Sequence, residues 1–140
     1  MALAWGALAW GVVFGGLNLL WAAQVPLLVG TLSPALQELA AAMTPFTTAV
    51  LAVTGCAKIV AGLLPTVLVR EWLPPLRGLI RWTCLVVGLG LILYGVGDIV
   101  SGLLDDLLWY AVLWGPAWLV GGMLLAGSAR AVRRTPEPPA

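Results

Sequence analysis

Lys58 and Asp98 are the two ionisable side chains that fall inside long apolar stretches of this sequence. A lysine at the centre of a membrane span costs about 2.5–3.5 kcal/mol on insertion scales, so it demands a partner. Asp98 is the one carboxylate that could meet it within the apolar segments. An ammonium and a carboxylate held away from water can fix the register of packed helices. They can also form a binding or proton-relay site. Asn18, Tyr94 and Trp114 fall near the depth of Asp98. The expected arrangement is therefore a buried polar layer of Asn18, Lys58, Tyr94, Asp98 and Trp114, with a Lys58–Asp98 pair at its centre.

The elements that must position these residues are four apolar stretches, roughly 3–23, 46–69, 82–103 and 107–129. A spanning helix needs about 20 such residues, so the fold class read from the sequence is an all-α membrane four-helix bundle occupying residues 1–130. Helical side chains tilt toward the N-terminus of their own helix. Spans 2 and 3 run in opposite directions, so Lys58 and Asp98 lean toward each other. Asp98 sits about 8 Å from the centre of span 3, at roughly 1.5 Å per residue. Small residues mark the contact faces, and the polar residues share them: Gly11, Gly15 and Ala22 with Asn18 in span 1; Gly55, Ala61 and Gly62 with Lys58 in span 2; Cys84, Gly88, Gly95 and Gly102 with Asp98 in span 3. Such stripes let membrane helices approach closely.

Composition sets the solvent. Of 140 residues, 61% are hydrophobic and 9% charged, against about 25% charged in soluble domains. In water such a body would expose an aggregation-prone surface; lipid suits it. The net charge of +1 leaves no patch able to neutralise a run of phosphates, so nucleic acid is not an expected partner. The chain has no histidine, which removes the commonest metal ligand and general base. Serine triads and cysteine–histidine pairs go with it. No enzyme activity, cofactor or metal site is expected. Cys56 and Cys84 form no CxxC and are read as two small buried hydrophobes. Asp105-Asp106 is read as part of a loop. Residues 1–23 lack the basic n-region of a signal peptide, so they are read as a retained first span.

Local punctuation agrees with four spans. Thr44-Pro45 pairs an N-cap with proline at the first helical position. Leu73-Pro74-Pro75 interrupts any helix joining spans 2 and 3. Pro116 falls inside span 4 and predicts a kink there. Between spans 1 and 2, Ser33-Pro34 opens a segment reaching Met43 that is too short to cross. It is read either as a helix lying in the interface or as a loop helix. Arg70, Arg77, Arg81, Arg130, Arg133 and Arg134 all fall on one side of this layout; Glu38, Asp105 and Asp106 fall on the other. Basic residues near span ends favour the cytoplasm, so both termini are expected inside, in a multi-pass protein of the cell membrane. Trp5, Trp72 and Trp82 at one boundary, and Trp21, Trp109 and Tyr110 at the other, are expected to form aromatic belts. Residues 131–140 read as a disordered cytoplasmic tail.

Four runs together resemble a family of small four-span bacterial membrane proteins catalogued as a domain of unknown function. They are Gly16 to Ala22, Lys58 to Leu64 with Leu68-Val69-Arg70, Leu93 to Asp98, and Leu113 to Leu119. The resemblance covers nearly the whole chain and implies the four-span fold, with no activity attached. The family is expected to carry an aspartate before the span-4 proline, where this chain has Gly115. That departure counts against a role for span 4 in a shared polar site. Beyond the bilayer itself, a homo-oligomer or another membrane protein is the expected partner. The functional expectation is a structural or partner-binding membrane subunit with the Lys–Asp layer as its clamp. The alternative is an oligomeric small transporter or channel using that layer as its site.

Overall fold

A computed structural model describes residues 1–132; of the tail expected over residues 131–140, Ala131 and Val132 are instead helical, and the part from residue 133 on lies outside the described residues. Among the described residues the chain is helical and has no strand. Its α-helices are α1 (Ala2–Ala22), α2 (Pro34–Ala42), α3 (Pro45–Val69), α4 (Arg77–Leu104) and α5 (Gly115–Ala131). A turn of π-helix, Tyr110–Trp114, leads into α5. Four helices are long and apolar enough to cross a membrane: α1, α3, α4 with the short turn before it, and α5 with its π turn. The chain thus has the build of a multi-pass membrane protein, a four-helix bundle with the short α2 in its first connection.

Sequence explains most helix ends. Thr44 Oγ1 accepts a hydrogen bond from the Thr47 amide at 3.2 Å, and Pro45 occupies the first turn of α3. Ser33 precedes Pro34 in extended backbone but makes no side-chain cap. The third span starts at Arg77 rather than near 82, because a helix need not stop where hydrocarbon does. The irregularity expected at Pro116 takes a different form. The Gly115 amide reaches back to the Tyr110 carbonyl, five residues away, and Pro116 sits in the first turn of α5, where its missing N–H costs little. Pro65 lies inside α3, buried.

The heaviest packing joins α1 to α3 and α4 to α5. Both seams run along glycines. A Cβ on Gly11 would lie 2.7 Å from the Lys58 carbonyl oxygen, and one on Gly62 2.6 Å from that of Ala7. In the other seam, a Cβ on Gly88 would lie 2.8 Å from the Gly122 oxygen, and one on Gly95 2.7 Å from that of Gly115. Helices in lipid gain no hydrophobic drive from meeting, so this close van der Waals approach is what holds them together.

The two ends of the bundle differ. At the end where α1 starts and α5 finishes, Ala7, Val67, Leu68, Ile80, Cys84, Leu125 and Ala129 form the buried core. We call this the terminal half. The opposite end, capped by the connection between α1 and α3, is the loop half. Cys84 is buried as expected, but Cys56 is exposed. It falls on the outward face of α3, away from the α1 seam.

Candidate functional site

The loop half is hollow. A cavity of about 150 Å³ opens between the helices, and Asn18, Lys58, Tyr94, Asp98 and Trp114 all line it. Each span contributes: Asn18 and Trp21 from α1, Lys58 from α3, Tyr94 and Asp98 from α4, and Tyr110, Trp114 and Trp118 from the π turn and α5. Leu32 and Leu36, from the first connection and α2, form the roof.

The expected ion pair is not formed. Among the described residues the one ion pair within 4.0 Å joins Arg77 to Glu71 at 3.0 Å, on the surface. Lys58 instead donates to Asn18 Oδ1 at 3.0 Å, a bond that ties α3 to α1. Its ammonium also stands 4.6 Å from the centroid of the Trp118 ring, a cation–π contact. A neutral amide and a ring face thus take the place predicted for the carboxylate.

Asp98 is left without its expected partner. It is 8% exposed, and its Oδ2 has no hydrogen-bond partner among the described residues. The Trp118 side chain lies against the carboxylate, so this one indole stands beside both Lys58 and Asp98. Buried polar groups are nearly always satisfied, and an exception at a cavity wall points to water or a ligand.

Seven aromatic rings frame the cavity and its floor: Trp21, Tyr94, Tyr110, Trp114 and Trp118 line it, and Trp10 and Phe14 pack against them. Trp118 meets Trp10, Phe14 and Tyr94 with centroids 5.8 Å apart in each case. Phe14 meets Trp114 at 6.2 Å, and Trp114 meets Trp21 at 5.9 Å. These spacings suit edge-on and tilted ring pairs. The π turn matters here, because Tyr110 and Trp114, four residues apart, both reach the cavity. π turns recur at functional sites.

A hydrogen-bonded cover closes the loop side. The Trp114 indole N–H donates to the Thr31 carbonyl and hydroxyl at 3.2 and 3.1 Å. The Ser33 amide donates to the Tyr110 hydroxyl at 3.1 Å. Trp21 donates to the Leu27 carbonyl at 2.6 Å. Trp21 and Tyr110, expected in the aromatic belt, therefore turn toward the site. Trp5, Trp72, Trp82 and Trp109 are half-exposed or more, as belt residues would be.

Sequence reading missed Trp118 as a site residue. The signal was present: Trp114 and Trp118 are one turn apart, so a helix that buries one near the layer brings the other close. Gly115, where an aspartate was expected, is explained by the α4–α5 seam. A Cβ there would strike Ile99 and lie 2.9 Å from the Gly95 oxygen, so a carboxylate side chain would force the helices apart.

The fold and the site together define a multi-pass helical membrane protein with a polar, aromatic-walled cavity at one end. Compared with family models, curated proteins and solved structures, the chain finds no match.

Proposed function

We propose that this chain is a binding subunit of the cell membrane that holds a small polar molecule in its loop-half cavity, without catalysing a reaction on it. The observation that carries the reading is Asp98 Oδ2, buried and unpartnered at the wall of a cavity. A structural clamp would place Lys58 on Asp98, and here Lys58 is engaged by Asn18 and Trp118. Burying a carboxylate oxygen without a hydrogen bond is costly, so its place at a cavity wall is better understood as a site than as a scaffold.

In this reading the terminal half faces the cytoplasm, because Arg70, Arg77, Arg81 and Arg130 lie at that end, and basic residues near span ends stay inside. The cavity then lies in the outer half of the bundle, beneath its cover. A second reading, an oligomeric transporter or channel, would use the same cavity. The cover hydrogen-bonded through Thr31 and Ser33 favours it, since such a cover could open for exchange.

An experimental density map of the protein in lipid nanodiscs tests the proposal. Density for water or a bound molecule against Asp98 Oδ2 is expected. A collapsed cavity with Lys58 Nζ directly on the Asp98 carboxylate would leave only the clamp.

A further inference from the structure

On the reading of the cavity as a binding site, we infer that its ligand is a compact zwitterion, with an ammonium group for Asp98 and an acid group for Lys58. Three observations lead there. The first is the carboxylate: Asp98 is 8% exposed, and its Oδ2 has no hydrogen-bond partner among the described residues, with the Trp118 side chain beside it. The second is the ammonium: Lys58 lines the same cavity, hydrogen-bonded to a neutral amide at 3.0 Å and set on a ring face, with no carboxylate within 4.0 Å among the described residues. The third is the wall between them, which is aromatic: Trp118 touches both groups, and Tyr94 and Trp114 flank it.

Charge decides among ligand classes. Buried charges are stable when paired. A simple cation on Asp98 would meet the like charge of Lys58 in the same small cavity. A simple anion on Lys58 would leave Asp98 unpaired. A molecule carrying both signs neutralises both and leaves the site neutral. Aromatic faces add attraction for the cationic end, strongest for a quaternary ammonium. A cavity of about 150 Å³ limits the ligand to roughly the size of an amino acid or a small betaine.

The test is equilibrium binding to the detergent-purified full chain. The probes are glycine betaine and alanine as zwitterions, with tetramethylammonium and acetate as the two halves. At least one zwitterion is expected to bind ten times more tightly than either half. Asp98→Asn is expected to weaken it at least tenfold without weakening acetate, and Lys58→Gln to weaken it without weakening tetramethylammonium. If tetramethylammonium binds as tightly as the zwitterions, the zwitterion is overturned and the site remains. If none of the four binds the folded chain, the zwitterion and the site fall together. Should Asp98→Asn not fold, the ligand series on the unaltered chain decides alone.

Discussion

The same four spans pack in two ways along their length. In the terminal half they close on aliphatic and small side chains, with Ala7, Cys84, Leu125 and Ala129 at 0% exposure. In the loop half they hold a cavity of about 150 Å³ with one cation and one carboxylate on its wall. Neither end gains from hydrophobic burial in the usual sense, because lipid is as apolar as leucine. The terminal half is held by contact, and the loop half by rings, one amide–ammonium hydrogen bond and a cover. The difference separates holding the fold from hosting a ligand. Closely packed atoms have two discrete options, fitting or not fitting; a hollow tolerates change.

That contrast can be broken first at the α1–α3 seam. A Cβ on Gly62 would meet backbone atoms of both Ala7 and Gly11, which cannot rotate aside. Gly62→Leu is therefore expected to cost about 3 kcal/mol or more of unfolding free energy in mixed micelles, at the upper end for overpacking. Gly90, with no atom within 4 Å of its would-be Cβ, should accept alanine without loss. Next comes Leu125→Ala in the terminal core. We expect a loss of about 2 kcal/mol by the same measurement, the low end of the range for leucine truncation in soluble cores, since the unfolded chain stays in lipid.

Smaller effects are expected in the loop half. Asn18→Leu removes the acceptor of Lys58 and should cost roughly 0.6–1.7 kcal/mol, the range for hydrogen bonds between membrane helices. A double-mutant cycle of Lys58→Met with Asp98→Asn should give a coupling of about 0.5–1 kcal/mol, because the two side chains form no ion pair but share Trp118 and one cavity. A coupling several times larger would restore the ion pair. Losses in the loop half as large as at Leu125 would erase the distinction between the halves.

How much of this was written in the sequence depends on which coordinate is asked for. Depth was legible, because hydropathy reports position across a slab. The four spans follow from it, and Asn18, Lys58, Tyr94, Asp98 and Trp114 come to line one cavity, although Tyr94 is 58% exposed rather than buried and the Lys58–Asp98 pair is not formed. The glycine faces were legible too, since Gly88, Gly95, Asp98 and Gly102 recur at helical spacing and are buried together. Rotation about the helix axes was not. Depth puts Lys58 within reach of both Asn18 and Asp98, and only the close α1–α3 seam selects Asn18. Tyr110 and Trp21 carry the composition of belt residues, and what turns them inward is a π turn and a hydrogen-bonded loop, neither of which leaves a periodic trace. The exposed Cys56 and the buried Cys84 look alike in apolar runs; their difference is also one of rotation.

The contrast between the halves reduces to whether water reaches Asp98 and not Cys84. In a Cys56→Ala background, a small water-soluble thiosulfonate can be reacted with native Cys84 and, separately, with Asp98→Cys. We expect the thiol at position 98 to label and Cys84 to stay silent in the folded protein. A thiol at position 98 as unreactive as Cys84 would contradict the hollow half and the binding function proposed for it.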